Sequence, residues 1–460
     1  AGGHTRHGDR DPDRRRGSTG DMAIEGRAGI SYHLGCPVCG RVFPGDEPRY
    51  RCECDEPIDI IYNEKPMVRR ELLDGRLGER QSPLSSGVWR YREMLPAFED
   101  RHIISRPEGN TNLYQVGAGE SGGLRRVGEY AGLERLALKH EGENPTGSFK
   151  DRGMTVGVSQ AVRTGARAVA CASTGNTSAS LASYAAQAGL PCFVFVPEGN
   201  IALGKLAQTL AYGAVTLQVR GDFDSAMTLV QEACAELGIY LVNSVNPFRI
   251  EGQKSIGFEL LQQLAWQPPD WIVLPAGNLG NTSALGKALL QARDLGLIDR
   301  LPRIASVQAS GANPVVQSYR SGFSERFTVT AHTVATAIKI GAPVSFVRAQ
   351  KAIEATNGLV MQVQDEAILD AKAVIDRAGI GCEPASAASL AGARQLVQEG
   401  VIGREARVAC ILTGHLLKDS DTTLDYHLGR VGAAGSYANR PVVVGSNLEA
   451  VRLMKELLLS

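Results

Sequence analysis

The amino-acid sequence predicts an α/β fold made of two doubly wound parallel-sheet lobes, preceded by a small N-terminal module. Short runs rich in β-branched residues alternate with helical stretches such as 178–187 and 224–237. This alternation is typical of parallel sheets whose strands are joined by helices. The predicted strands fall into two groups, and two groups predict two sheets. The first group is 166–172, 191–197, 214–219 and 239–242, and the second is 270–276, 303–309, 358–364 and 406–413.

The composition along the chain predicts five segments. Residues 1–24 are polar and mixed in charge, and we expect a disordered tail because such a segment buries too little apolar surface to order itself. Residues 25–62 are predicted to form a zinc-ribbon-like module. A large domain is predicted at 63–165 and 255–425, a small domain at 166–254, and a C-terminal extension at 426–460.

Charge and hydropathy exclude several classes of protein. The 460 residues contain 49 Lys plus Arg and 49 Asp plus Glu, so the formal net charge is zero. This balance argues against a general role on nucleic acid or a membrane surface. Because no long apolar run and no signal-peptide core are present, we expect a cytoplasmic protein. Five of the nine cysteines lie in apolar segments and look like reduced core residues. They are Cys171, Cys192, Cys234, Cys382 and Cys410.

Four further cysteines form two pairs near the N-terminus, Cys36 with Cys39 and Cys52 with Cys54. The first pair has the C-x-x-C spacing of a zinc knuckle. The second pair is tighter, and two thiolates one residue apart reach a shared tetrahedral metal less easily. The pattern leaves two alternatives open, a structural zinc site or a ribbon that has lost its metal, and the tight pair slightly favours the second. In either case we expect an accessory module, and we assign no metal to the site of chemistry.

The segment 140–152, HEGENPTGSFKDR, presents a lysine in an unusual setting. Pro145 and Gly147 indicate a turn, Ser148 is a predicted N-cap, and the apolar residues that follow predict a helix. Lys150 would lie in the first helical turn, where the helix dipole disfavours a cation and lowers its pKa from the reference of about 10.4. An amine with a depressed pKa suits Schiff-base chemistry. The alternative is an ordinary solvated lysine.

Residues 173–178, STGNTS, lie between a predicted strand and a predicted helix. Backbone amides at a helix N-terminus, flanked by hydroxyl groups, form an anion site of the size of a carboxylate. The α-carboxylate of an amino-acid substrate fits this site, with Ser173, Thr174 and Thr177 as candidate ligands. Taken alone, the motif is explained equally well by an ordinary capped turn.

Residues 277–281, GNLGN, also follow a predicted strand and open a helix. Two glycines allow the backbone to close around a phosphate, and the helix N-terminus supplies a favourable field. The segment matches neither G-x-x-x-x-G-K-[ST] nor G-x-G-x-x-G, so it implies neither a nucleoside triphosphate nor a dinucleotide. A phosphate carried by another ligand is the better fit. Thr413, at the end of a further predicted strand, is a weak signal that gains weight only if a ring nitrogen must be contacted.

These four motifs, in this order, resemble the parts of a fold-type II pyridoxal-phosphate-dependent enzyme, and most closely the threonine synthase family. The resemblance extends from about residue 86 to residue 426. The segments SGVW, EGNTNLY and LDYH further resemble the plant-like branch, which binds S-adenosylmethionine as an activator. The longest similar stretches are HEGENPTGSFKDRGM, CASTGNTSASLASYAAQAG, YLVNSVNPFRIEGQKS, PAGNLGN, TAIKIGAP and LTGHLLKD.

The resemblance implies a role for each motif. Lys150 would bind the cofactor covalently, Asn176 would contact the 3-hydroxyl of its ring, and Thr413 would face the ring nitrogen. The family likeness also implies a homodimer and an S-adenosylmethionine effector. The cofactor phosphate would be held by Gly277, Asn278, Leu279, Gly280 and Asn281.

The implied reaction converts O-phospho-L-homoserine and water to L-threonine and phosphate by β,γ-elimination and replacement. Lys150 would remove the α proton and later return it. A threonine hydroxyl leaves the ring nitrogen mostly unprotonated, which makes the ring a moderate electron sink suited to elimination. The substrate phosphate needs a cationic and hydroxylic cradle, for which NSVNPFR offers Asn243, Ser244 and the bidentate guanidinium of Arg249. In the alternative, Arg249 pairs with a surface carboxylate such as Glu251.

Other functions share part of this pattern. A synthase that uses phosphoserine, or a threonine or serine dehydratase, would keep Lys150 and the phosphate loop. Arg249 argues against a dehydratase, because the substrate of that enzyme carries no phosphate. From a different class, a nucleic-acid-binding zinc-ribbon protein or a catalytically silent cofactor-binding module is opposed by the neutral charge and by the intact lysine.

Overall fold

The computed structural model describes residues 30–116, 122–199, 203–431, 437–444 and 448–459. The predicted tail at 1–24 and the beginning of the predicted module lie outside these ranges. Among the helices within them, none combines the length and the apolar character that a membrane crossing requires.

A six-stranded sheet forms the centre of the molecule. All neighbouring strands are parallel except the edge pair β4 and β5. Sequence reasoning missed these two strands, because β5 contains the polar residues Lys139 and His140 and has no β-branched run. In spatial order the strands are β12 (Leu359–Val363), β11 (Arg303–Ala309), β10 (Trp271–Pro275), β13 (Arg407–Leu412), β5 (Arg135–His140) and β4 (Leu113–Val116).

Both faces of this sheet are covered by helices, as a parallel sheet requires. Along β10, Trp271 and Val273 face one hydrophobic core while Ile272 and Leu274 face the other, because successive side chains alternate. The first core is closed by α2 (Gly123–Ala131), α12 (Asp365–Arg377) and α13 (Pro384–Gln398). The second is closed by α1 (Arg70–Gly75), α8 (Ser255–Gln263), α9 (Gly280–Asp294), α10 (Pro314–Arg320) and α11 (Phe346–Ala355).

A second sheet of four parallel strands is built from the segment between the two halves of the large sheet. Its strands are β8 (Val215–Val219), β7 (Cys192–Pro197), β6 (Val169–Ala172) and β9 (Tyr240–Leu241), in spatial order. Its helices are α3 (Lys150–Arg163), α4 (Asn176–Ala188), α5 (Leu203–Ala211) and α6 (Phe223–Leu237). The structure thus has two mainly parallel sheets, as predicted, while the predicted limits of the large and small domains stay a prediction.

The remaining elements connect and flank the two sheets. The predicted helix start at 86–96 is a 3-10 helix, Trp89–Met94. A short helix, α7 (Pro247–Gln253), packs between α3 and α9. Toward the C-terminus lie α14 (Ser420–Leu428) and α15 (Leu448–Leu459), and Tyr426 of α14 packs against α12.

The N-terminal module is a three-stranded antiparallel sheet, with β1 (Tyr32–Gly35) between β2 (Val42–Phe43) and β3 (Asp59–Tyr62). Its apolar side chains, including Leu34 and Ile60, pack against Trp89 and Phe248 of the main body. Four cysteine Sγ atoms of the module lie within 4.8 Å of one another. The expectation that the tight second cysteine pair hinders a shared site is therefore wrong.

Candidate active site

Lys150 is the first residue of α3, as predicted. The segment before it is fastened to the end of β13, because the Phe149 amide donates to the Thr413 carbonyl at 3.0 Å and Ser148 forms a β-bridge with Gly414. Ser148 is not the N-cap residue, which is Phe149, although its Oγ accepts a hydrogen bond from the Lys150 amide at 3.4 Å. The structure therefore brings together the predicted lysine and the predicted strand-end threonine.

The surroundings of Lys150 favour a neutral amine. Its Nζ lies 3.7 Å from the centroid of the Phe149 ring. The pKa of Lys150 is lowered to about 7, first by burial and then by the positive charge of Arg249, while Glu383 acts in the opposite direction. The prediction of a depressed pKa agrees with this direction. The causes found in the structure are burial and a neighbouring cation, which the sequence did not reveal.

Arg249 lies on α7 and is almost fully buried, with 3% of its surface exposed. One guanidinium nitrogen, Nη1, donates to the Val242 carbonyl at 3.3 Å, while Nε has no hydrogen-bond partner. Burial lowers the pKa of Arg249 to about 10. Within the described ranges, no carboxylate lies within 4.0 Å of this guanidinium. Its remaining donors are available to a ligand.

The alternative that Arg249 pairs with Glu251 at the surface is wrong. Glu251 is fully buried. Its carboxylate forms ion pairs with Lys254 at 2.6 Å and with Lys287 at 2.5 Å. Glu251 therefore belongs to a separate buried cluster.

The hydroxyl-rich loop 173–178 opens α4, which begins at Asn176. Its residues Ser173, Thr174 and Thr177 are all half-buried. No side chain caps the N-terminus of α4, so the structure does not show the ordinary capped turn. The first amides of a helix have no partner within the helix, and here they remain available to an anion.

Asn243 and Ser244 follow β9, as the sequence order requires. Asn243 accepts a hydrogen bond from the Ala172 amide at 2.9 Å and donates one to the Ala172 carbonyl at 3.1 Å. This pair of bonds fastens the end of β6. The side-chain amide of Asn243 has therefore already used one of its two N–H donors and one acceptor site on Oδ1. Ser244 is half-buried.

The loop 277–281 leads into α9, which begins at Gly280. The residue with a left-handed backbone is Leu279, with φ at 65°, and neither glycine of the loop has a positive φ. A side chain at Gly277 would approach the Ile338 Cα to 3.1 Å, whereas one at Gly280 would meet its nearest neighbours at an ordinary 3.5 Å. The left-handed conformation in this loop is therefore adopted by Leu279, and neither glycine supplies it.

Two residues of this loop have contrasting side-chain contacts. Asn278 is tied to a later loop, because its side-chain Oδ1 accepts from the Val344 amide at 3.4 Å and its backbone carbonyl accepts from the Ser345 amide at 3.1 Å. Asn281 is buried, with 6% exposed, and neither its Oδ1 nor its Nδ2 has a hydrogen-bond partner. A buried amide without partners is costly, and a polar ligand at the start of α9 would satisfy it.

Glu383 is a site residue that sequence reasoning missed. It is buried at the N-cap of α13, and its Oε2 accepts a hydrogen bond from Asn176 Nδ2 at 2.9 Å. Thr413 Oγ1 lies 3.4 Å from Glu383 Oε1 and 3.1 Å from Ser386 Oγ. Burial raises the pKa of Glu383, while the Asn176 bond and the charge of Lys150 oppose that rise. Only the glutamate before Pro384 marks it in the sequence, and that pattern is common at helix starts.

Asp151 is a second missed residue, next to the lysine in the chain. Its carboxylate accepts from the Thr146 amide at 2.7 Å and from Ser180 Oγ at 2.5 Å. Burial raises its pKa to about 6. These bonds join the turn before α3 to α4, and they hold Lys150 in position relative to the hydroxyl-rich loop.

A lysine at the start of α3, followed by two strand-to-helix loops that open α4 and α9 without a side-chain cap, is the arrangement of a fold-type II pyridoxal-phosphate enzyme. Residues 104–414 match the family described as "Pyridoxal-phosphate dependent enzyme". The chain is 46% identical over 425 residues to a threonine synthase of Methanosarcina acetivorans, covering 92% of this chain and 98% of that protein. It is 40% identical over 432 residues to threonine synthase 2, chloroplastic, of Arabidopsis thaliana, covering 90% and 82%. The chain therefore belongs to the pyridoxal-phosphate-dependent enzymes, within the threonine synthase family.

A comparison with solved structures agrees at the level of the fold. The processed form of threonine deaminase isoform 2 from Solanum lycopersicum has a TM-score of 0.59 to this chain at 20% identity. The match covers 71% of this chain and 84% of that one. At this identity the likeness shows a shared fold alone.

Proposed function

We propose that this chain converts O-phospho-L-homoserine and water to L-threonine and phosphate, with pyridoxal phosphate as its cofactor. The observation that carries the proposal is the buried guanidinium of Arg249, which has an unpartnered Nε and acts electrostatically on Lys150. A buried cation without a counter-charge is unfavourable, and a phosphate-bearing substrate supplies that charge. The names of the related proteins support the same reaction.

The residues around α9 fit a phosphorylated cofactor. The start of this helix presents free amides, and the buried Asn281 lacks partners for both of its side-chain polar atoms. Lys150 would hold the cofactor covalently, and Asn176 and Thr413 would approach its ring. When bound, the cofactor supplies an electron sink that makes the α proton of the substrate acidic. The phosphate would be held by Gly277, Asn278, Leu279, Gly280 and Asn281.

Lys150 is suited to move that proton. Because its pKa is about 7, a large fraction of the free amine is neutral near neutral pH and can accept a proton from the α carbon. The protonated amine can then return the proton. Glu383 acts as a positioning residue in this proposal, since it contacts both Asn176 and Thr413.

The two ends of the substrate have separate binding groups. The α-carboxylate would lie at the N-terminus of α4, among Ser173, Thr174 and Thr177. The γ-phosphate would lie against Arg249, with Ser244 and the remaining donor of Asn243. The positive charge of Arg249 is close enough to Lys150 to lower the pKa of its amine, so the phosphate group would lie near Lys150.

The direct test measures phosphate and threonine released from O-phosphohomoserine by the cofactor-loaded enzyme. We expect the two products in equal amounts. Phosphoserine, threonine and serine serve as comparison substrates, because each would be preferred by one of the alternative enzymes. Faster ammonia release from threonine than threonine release from O-phosphohomoserine would overturn the proposal in favour of a dehydratase.

Three further properties are proposed, the first two from the family resemblance and the third from the apolar pattern of the sequence. They are a homodimer, activation by S-adenosylmethionine and a cytoplasmic location. Sedimentation of the purified protein tests the first, and the initial rate with and without S-adenosylmethionine tests the second. Fractionation of the source cells tests the third.

A further inference from the structure

The four cysteines of the N-terminal module converge on one point. Cys36 and Cys39 lie in the turn between β1 and β2, and Cys52 and Cys54 lie in the turn before β3. The Sγ atoms of Cys36 and Cys54 are 3.5 Å apart, as are those of Cys39 and Cys52, and the Sγ atoms of Cys39 and Cys54 are 3.8 Å apart. With a zinc–sulfur bond of about 2.3 Å, the edge of a tetrahedron of sulfur atoms is about 3.8 Å. Three of the six Sγ–Sγ distances are therefore close to that edge, and all six are within 4.8 Å, which suits a tetrahedral thiolate site.

The backbone of the first turn supports a thiolate at Cys36. The amides of Val38 and Cys39 both point at its Sγ, at 3.5 Å each. The turn is closed by the Gly40 amide, which donates to the Cys36 carbonyl at 3.2 Å, and Gly40 has a left-handed φ of 73°. Amide hydrogen bonds to sulfur favour the deprotonated form that binds metal.

The second turn explains how a one-residue spacing reaches the same point. The Asp55 amide donates to the Cys52 carbonyl at 2.9 Å, and the Cys52 amide donates to the Glu56 carbonyl at 2.9 Å. Asp55 itself has a left-handed φ of 65°. This tight turn folds the chain back after Cys54, so that both sulfur atoms face the first pair.

We propose that Cys36, Cys39, Cys52 and Cys54 bind one zinc ion in a closed, structural site. Four soft thiolates in tetrahedral arrangement select zinc, and with four protein ligands no position stays open for catalysis. Cys36 and Cys52 are buried while Cys39 and Cys54 are exposed, so a metal ion can enter from solvent. No other group of possible metal ligands converges in this way within the described residues.

The module has a physical need for such an ion. Its strands contain only two to four residues each, and a unit of this size buries too little apolar surface to fold without help. The zinc ion would replace the missing core. Folding of the module would then depend on the metal.

The module also contacts both sheets of the main body. On one side Lys287 of α9 donates to Asp59 at 2.9 Å and to the Ile60 carbonyl at 2.6 Å. On the other side Tyr50 Oη accepts from the Leu241 amide of β9 at 3.0 Å. The metal would therefore stabilise a bridge between α9, the helix that follows the phosphate loop 277–281, and β9, the strand that precedes Asn243.

The test is metal analysis of the full-length protein, expressed with zinc and iron both available. We expect one zinc ion per chain, loss of that zinc in Cys54→Ser, and retention of it in Cys234→Ser, which alters a half-buried cysteine outside the cluster. The melting temperature should fall in Cys54→Ser and stay close to that of the unaltered protein in Cys234→Ser. Stoichiometric iron, or zinc retained by Cys54→Ser, would overturn the proposal.

A second measurement does not depend on the folding of a variant. Zinc in the unaltered protein is replaced by Co²⁺, and the visible spectrum is recorded. We expect sulfur-to-cobalt charge-transfer bands and the intense d–d bands of a tetrahedral site. A protein that binds no Co²⁺ and has either four freely reactive thiols or two disulfides in the module would contradict the assignment.

Discussion

Two lysines in this molecule have similarly lowered pKa values and opposite surroundings. Burial lowers the pKa of Lys150 to about 7 and that of Lys254 to about 8. Lys254 Nζ is surrounded by acceptors, with the Glu251 carboxylate at 2.6 Å and the Met94 carbonyl at 2.9 Å. Lys150 Nζ faces an aromatic ring and is repelled by Arg249.

The comparison teaches that a low pKa alone does not make a lysine reactive. The Lys254 amine already donates to several acceptors, so it is held in place and unavailable for attack. Lys150 has no carboxylate within 4.0 Å of its amine in the part of the chain that the structure describes. The proposed catalytic lysine, Lys150, is distinguished by the absence of a close counter-charge, and variants near each of the two lysines test this difference.

The largest effect is expected for Lys150→Ala. Loss of the amine removes both the covalent attachment and the proton-transfer group, and we expect turnover to fall by about a thousandfold or more. The visible absorbance of the attached cofactor should disappear, while the circular dichroism of the backbone stays unchanged. An unchanged visible spectrum in this variant would show that another lysine holds the cofactor.

The matched change in the surroundings of Lys254 is Glu251→Gln. It removes the carboxylate shared by Lys254 and Lys287. The fully buried Lys254 is then left with uncharged acceptors alone, whereas Lys287 keeps its ion pair with Asp59. We expect the free energy of unfolding to fall by about 3 to 5 kcal/mol, as for other broken buried ion pairs. Denaturant unfolding measures this loss, and the cofactor absorbance of the folded fraction should be retained. If Glu251→Gln instead lost the cofactor at unchanged stability, the cluster around Lys254, and not Lys150 alone, would be needed to hold the cofactor.

Arg249 tests the phosphate assignment. A charge-assisted hydrogen bond in a desolvated site contributes about 1.5 to 3 kcal/mol, so Arg249→Ala should lower kcat/KM for O-phosphohomoserine roughly tenfold or more. Arg249→Lys keeps the charge and loses the planar fork, and most of the loss should remain. Slow side reactions of unphosphorylated amino acids are the control and should be almost unaffected. Equal losses for both kinds of substrate would show that Arg249 is structural.

The smallest effect concerns the pH dependence of cofactor attachment to the cofactor-free protein. Only the neutral amine attacks, so the attachment rate should rise with pH, reach half its maximum near the Lys150 pKa of about 7, and then level off. Arg249→Met should move this midpoint to higher pH, because it removes a neighbouring positive charge. Stopped-flow absorbance follows the reaction. A midpoint that is unmoved in Arg249→Met would mean that burial alone lowers the pKa.

Much of the fold could be predicted because its signals are local. The eight predicted strands and both predicted helices are present, since β-branched runs and amphipathic stretches report their own conformation. Turn and capping patterns predicted that Lys150 lies at a helix start. They also predicted that the loop 277–281, which contains Gly280, opens a helix. The polar strand β5 was missed because the burial of Lys139 depends on partners from distant parts of the chain, among them Glu259 at 2.6 Å and the Thr111 carbonyl at 2.7 Å.

The sequence by itself determined the order of the motifs and the kinds of chemical group that each one offers. The tertiary structure decided which groups meet. Arg249 and Glu383 reach Lys150 from distant parts of the chain, and they set its pKa together with burial. The four cysteines converge only after two turns fold. The physical reason is that burial and charge interactions depend on distances in space, whereas propensity and periodicity act between neighbours in the chain.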